Sequence, residues 1–336
     1  MFRFALILVL TFASPLVYLA SAFTPTADQK VCATLPANAD VVAACTRILE
    51  APNSSTLDRA VSYTFRADAA RADGNTPVAI ADYSQALALM PTLVPALSGR
   101  GVAYRNAQNY DLSLHDFDQA IAIELNNAEL YSSRGNTYRM KGDDSQAMAD
   151  FNQAIKLKPD SATAFNGRGN LYADLKQPDG AITDFTQAIK LNHTDANAFF
   201  NRGVVESDDK NQLDKAIADF STAIKLDPSM TDAYVSRAIA YGRENNNRAA
   251  LADLNTAIGR APDLQRAYFD RGPLYLNAGD NAKAIADLTM AVQLDPKDAR
   301  ALYARGLAKQ RNGDAKGGDS DMAAAKALDP GVDKRM

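Results

Sequence analysis

The sequence predicts an all-α protein built as a solenoid of eight helix–turn–helix units, with a disulfide-stapled cap on its N-terminal side. Three observations carry that expectation. An arginine followed by Gly or Ala recurs at Arg66, Arg100, Arg134, Arg168, Arg202, Arg237, Arg271 and Arg305, in steps of 34 or 35 residues. Sixteen or seventeen residues after each comes an Asp followed by a large apolar residue, from Asp82-Tyr83 to Asp321-Met322, and three further on an alanine, from Ala86 to Ala325. Between these markers the apolar residues keep helical spacing. Length alone, 336 residues, suggests about two domains. The period replaces that with one elongated array in which each unit buries its face against its neighbours.

The chain begins with an address. Met1-Phe2-Arg3 and the apolar run from Phe4 to Ala13 precede the breaker Ser14-Pro15 and the small residues Ala20-Ser21-Ala22. That order reads as a secretory signal peptide over 1–22. The alternative is an uncleaved anchor, since Phe4 to Ala22 nearly spans a bilayer. Export makes the protein periplasmic or secreted, and only an uncleaved segment would hold it to a membrane.

Residues 23–59 form the cap. Cys32 and Cys45 are the only cysteines, and outside the cytoplasm they are expected to pair. Their spacing excludes a C-x-x-C redox motif. Asp40 is placed as the N-cap of a short helix, Val41 to Leu49, that carries Cys45 on its apolar face.

The repeats fill 60–332, leaving a tail of 333–336. In the third unit Tyr131, Gly135 and Tyr138 share one helical face. Gly142-Asp143-Asp144 breaks the chain, and Ala147, Phe151 and Ala154 repeat the spacing on a second helix. Pro159 ends the unit because proline cannot continue a helix. Small residues let the two helices approach, and each large one fills the gap opposite. An aromatic three residues before the arginine in six units, Gly or Ala directly after it in all eight, and Tyr four after it in five make the chain resemble the tetratricopeptide repeat (TPR) family. The resemblance implies a right-handed solenoid and a non-catalytic role in binding proteins, similar to exported bacterial TPR proteins. One extra residue falls in the turn of the fifth unit, near Lys210-Asn211-Gln212, where insertion costs little. Departures from the pattern at Ala70, Lys309, Gly318 and Met322 mark the terminal units as caps.

Composition excludes much chemistry. With 36 basic against 40 acidic residues, two His and no Trp, the chain lacks the basic stripe of a nucleic-acid binder and the ligands of a common zinc site. His115 lies mid-helix and His193 in a turn. Gly167-Arg168-Gly169 lies inside a helix and is no phosphate loop. Neither an enzyme, a cofactor, a metal nor a small-molecule substrate is expected. The recurring arginines read as ion pairs with the recurring aspartates of the same or the adjoining unit, Arg168 with Asp184 for example, plus bonds to helix-end carbonyls; a ladder of anion-binding guanidinium groups is the sharper alternative.

The resemblance also implies where a partner binds: a concave groove lined by the first helices. The corresponding positions are polar in the third and fourth units, with Asn136, Arg139, Asn166 and Asn170, and apolar from the fifth on, with Phe200, Val235, Phe269 and Tyr303. The expected partner is a peptide or helix of another protein, with the aromatics as anchors and the asparagines bonding its backbone. No Lys stands where one TPR subgroup clamps a C-terminal carboxylate. The alternative function is a structural assembly factor of a cell-envelope complex, using the ends or the convex face.

Overall fold

The computed structural model describes residues 26–33 and 39–335. The signal segment expected at 1–22 lies outside the described residues. Every regular element among them is helical. The cap contains α1 (Ala27–Cys32) and α2 (Ala39–Glu50). Eight pairs follow: α3 (Thr56–Ala72) with α4 (Thr76–Leu89), α5 (Val94–Asn106) with α6 (Tyr110–Ile123), α7 (Ala128–Lys141) with α8 (Asp144–Leu157), and α9 (Ala162–Asp174) with α10 (Pro178–Leu191). The remaining pairs are α11 (Ala196–Asp208) with α12 (Leu213–Leu226), α13 (Thr231–Arg243) with α14 (Asn247–Arg260), α15 (Gln265–Asn277) with α16 (Asn281–Leu294), and α17 (Ala299–Arg311) with α18 (Ala315–Leu328). The fold is an all-α TPR-type solenoid. None of the described helices is long and apolar enough to cross a membrane.

Contacts divide the chain into two compact units, Met1–Gly167 and Arg168–Met336, with the boundary inside α9. In the first unit α3 touches α5 and α5 touches α7; in the second α11 touches α13, α13 touches α15 and α15 touches α17. Within either unit no second helix touches another second helix. The first helices therefore crowd together on one face of each unit.

Two boundaries differ from expectation. The first repeat helix starts at Thr56, a turn before Ala60, because Ser55 caps it by accepting from the Asp58 N–H. That extra turn lies against the cap, where Gln29 donates to Asp58 at 2.8 Å. Asp40 is not an N-cap; α2 already begins at Ala39. Its carboxylate sits in the first turn, where it complements the helix dipole.

The disulfide forms as expected. Cys32 ends α1, Cys45 lies in α2, and the bridge between them is buried with Val41, Ala44 and Ile48 against Phe65 of α3. The α2 helix takes the place of a second helix preceding the first repeat: its Thr46 accepts from Arg66 at 3.3 Å.

Each turn inside a repeat contains one residue with left-handed backbone: Gly74, Gln108, Gly142, Lys176, Asn211, Asn245, Gly279 and Gly313. In the first, Gly74 N–H reaches Arg71 O at 3.1 Å and Asn75 N–H reaches Ala70 O at 2.8 Å, the paired bonds that close a helix C-terminus. The extra residue of the fifth repeat is absorbed here. Gln212 N–H reaches back six residues to Glu206 O at 2.7 Å, where the other turns reach back five.

Close packing depends on the small residues. A Cβ at Gly135 would sit 3.1 Å from the Phe151 ring, and one at Gly167 only 2.4 Å from the same ring. Helices of the same and the following repeat thus press on one buried ring, and any larger residue overpacks the site.

Candidate functional site

All eight recurring arginines bind the recurring aspartate of their own repeat through both Nε and Nη2, at 2.6–2.9 Å. Arg168 and Asp184 follow the rule at 2.7 and 2.9 Å. This fork-to-fork geometry is the strongest form of a charge-assisted hydrogen bond, and it holds the Arg237 guanidinium above arginine's ordinary range.

The remaining nitrogen crosses to the preceding repeat. Arg100 reaches Ser84 at 3.1 Å, Arg134 reaches Asp118 at 2.6 Å, Arg202 reaches Thr186 at 3.0 Å and Arg237 reaches Ser221 at 2.9 Å. These acceptors are side chains, not the helix-end carbonyls expected from sequence. The signal was present: the residue two after each Asp is polar at Ser84, Asp118, Asn152, Thr186, Ser221, Asn255 and Thr289. It becomes Ala323 in the eighth repeat. Aromatic rings complete the sites of the first seven repeats, as where Arg134 lies over Tyr131 at 5.6 Å and Tyr138 at 5.9 Å. The arginine ladder is occupied by the fold itself and stitches consecutive repeats.

Three models of the tetratricopeptide repeat match the sequence, one at 135–176 and 272–313, a second at 162–195 and a third at 206–264. The chain belongs to the TPR family. Among solved structures, the APC/C hetero-tetramer Cut9-Hcn1 matches this TPR protein with a TM-score of 0.63 at 13% identity, over 90% of this chain and 59% of that one. PilW, a widely conserved type IV pilus biogenesis factor, matches at 0.57 and 20% identity, over 62% of this chain and 97% of its own. PilF of Pseudomonas aeruginosa matches at 0.56 and 16%, over 62% and 96%. At these identities the likeness is one of fold. No curated protein matches the sequence.

The expected groove residues of the TPR protein separate into two groups and one correction. Asn136, Arg139 and Asn166 lie half-buried on α7 and α9, and Asn170 lies further along α9. Asn136 spends an amide hydrogen on Ser132 O of its own helix, at 3.1 Å. Phe200, Phe269 and Tyr303 are half-buried; Phe200 leans on Phe220 with centroids 5.8 Å apart, and Phe269 lies beneath Arg300 at 5.1 Å. Val235 is not a groove residue. It is 1% exposed, packed with Ala238, Leu254 and Ala267, because its short side chain ends where Phe200 and Phe269 still extend outward.

Sequence reasoning singled out Arg139 but missed Arg105 and Arg71, which stand at the same place one and two repeats earlier. It also missed two buried carboxylates. Glu206, 6% exposed, occupies the register held by Tyr in five repeats, and its Oε2 has no hydrogen-bond partner. Burial, then the nearby Asp219, raises its pKa. Asp270 on α15 is pushed up to about 6 by burial, against the pull of Arg266 and Arg300. Among the described residues no three His, Cys, Asp or Glu gather as metal ligands.

Proposed function

We propose that this TPR protein is a non-catalytic scaffold that captures a peptide or helix of a partner protein on the first-helix face of its second compact unit. The observation that supports this reading is a row of half-exposed apolar side chains on those helices. Phe200 and Val204 stand on α11, Ile239 on α13, Phe269 and Leu276 on α15, and Tyr303 and Leu307 on α17. Apolar side chains exposed together mark interaction surfaces, and aromatic anchors dominate the energetics of such surfaces. The compartment proposed is an exported, oxidising one, a reading supported by the buried Cys32–Cys45 disulfide.

The test is crosslinking and pull-down from the native compartment, with wild type beside Phe200→Ala/Phe269→Ala and a thermal melt of both. A double variant that stays folded yet loses its partners supports groove capture. One that stays folded and keeps every partner refutes it, and moves the contact to the ends or the second-helix face, as an assembly factor would require.

A further inference from the structure

The apolar row of the second compact unit has a gap in it. Phe200 on α11, Val235 on α13 and Phe269 on α15 stand in one register, 35 and 34 residues apart, on helices that touch in that order. Both phenylalanines are half-buried. Val235 is 1% exposed and packs inward with Ala238, Leu254 and Ala267. The middle place of the three is therefore a notch, floored by Val235 and bordered along α13 by the half-buried Ile239.

The wall on α15 is unlike the other first helices. Pro273 lies inside that helix, one turn beyond Phe269, in the register that holds Val204 on α11, Ile239 on α13 and Leu307 on α17. A helix interior tolerates proline least of all residues. Three repeats fill this half-exposed place with an ordinary aliphatic side chain, so packing does not require the proline. Its chemical effect is specific. Pro273 has no N–H, so the Phe269 carbonyl loses the bond that the residue four further on supplies in a helix. An acceptor is left beside the half-exposed Pro273 ring, level with Val235 and among the apolar side chains of the row.

We propose, resting on the reading of this face as a capture surface, that the notch anchors the partner by one tryptophan side chain. The indole fills the place between Phe200 and Phe269, and its N–H meets the Phe269 carbonyl, partial positive charge against partial negative. Other side chains match less of the site. Phe and Leu leave the acceptor buried without a donor, which costs affinity. A tyrosine hydroxyl donates but buries lone pairs of its own, and a lysine ammonium meets the Arg300 guanidinium that lies over Phe269 at 5.1 Å. Tryptophan joins a large apolar body to a group that only donates.

The chain contains no Trp, so tryptophan emission reports the ligand alone. The test titrates the full chain into a synthetic helical peptide with one central Trp, and into the same peptide carrying 1-methyltryptophan, which keeps the ring and lacks the N–H. Wild type should blue-shift the emission of the Trp peptide and bind it at least about fivefold more tightly than the methylated one, the factor expected when a buried acceptor loses its donor. Val235→Phe puts into the notch the ring that the neighbouring repeats already carry, and should weaken Trp binding at least about tenfold while a thermal melt shows the fold intact. Pro273→Ala restores the helical N–H, and should melt higher and bind both peptides equally. If Val235→Phe melts early, the Pro273→Ala comparison alone decides. A preference for Trp that survives Pro273→Ala overturns the proposal, as does the absence of any shift with wild type, or a folded Val235→Phe that binds as wild type does. Loss of partners from Phe200→Ala/Phe269→Ala without any binding of the Trp peptide removes the notch and leaves the capture reading in place; partners that persist in that variant overturn the capture reading instead.

Discussion

Replacing Arg237 by Met tests what the arginine ladder contributes. Arg237 donates to both oxygens of Asp253 at 2.7 and 2.8 Å, reaches Ser221 of the preceding repeat at 2.9 Å, and lies between Tyr234 and Tyr241 at 5.9 and 5.8 Å. Asp253 is 7% exposed. Removing the arginine strands that carboxylate in the core. Breaking a buried pair from one side costs about 3–5 kcal/mol, and the 18% exposure of the Arg237 side chain lets in enough water to place this case near the lower end. Arg237→Met/Asp253→Leu removes both charges and should return to within about 1 kcal/mol of wild type, because the desolvation of two ions nearly cancels their attraction. Urea unfolding followed by helical circular dichroism measures both, with a constant m-value as the condition for comparing them. Amide exchange in α13 and α14 shows whether the loss is local. A single variant within 1 kcal/mol of wild type, or a double variant no better than the single, would refute the reasoning.

Three further outcomes follow from other parts of the fold. Asp270 has its pKa raised from 3.8 to about 6, so its neutral form is favoured in the folded chain. Wild type should gain stability as pH falls from above 6 toward 4, and Asp270→Asn should be more stable at pH 7.5 by up to about 3 kcal/mol, a difference that vanishes near pH 4 in urea titrations; a pH-independent difference would contradict this. Lys176 has a left-handed backbone, φ 57°, and Lys176→Gly should raise stability by about 0.5–1 kcal/mol, whereas Gly142→Ala, at φ 86°, should lose a similar amount in the same assay. Opening the cap with Cys32→Ser should remove up to about 3 kcal/mol, read as early amide exchange in α1 and α2 with the distant repeats unchanged.

The repeat and its chemistry were legible because they are periodic. Arg168 and Asp184 recur in register with seven other pairs, which made ion pairing legible; that the pair closes within one repeat came from the structure. The disulfide was legible because Cys32 and Cys45 are the only cysteines of a chain whose first segment reads as an export signal. The groove was less so. Val235 and Phe200 occupy equivalent places on their helices, yet one is sealed and the other emerges, since exposure depends on side-chain length against the local packing surface and not on register. Arg71 and Arg105 were missed because each looks like an ordinary helix-end arginine; only the contacts of α3, α5 and α7 show that they form a row.

The sequence by itself determined the helical pairs, the positions of close approach and the family, because a 34-residue period fixes which residues must face a neighbouring helix. The inter-repeat stitch came from the structure, although its polar acceptors two after each Asp recur through the first seven repeats. Tertiary structure decided what is left at the surface. Whether a guanidinium is matched by a carboxylate, as Arg237 is, or flanked by like charge, as Arg105 is, depends on side chains tens of residues apart meeting across helix contacts. The same holds for Glu206 and Asp270, whose proton affinity is set by burial that no single repeat records.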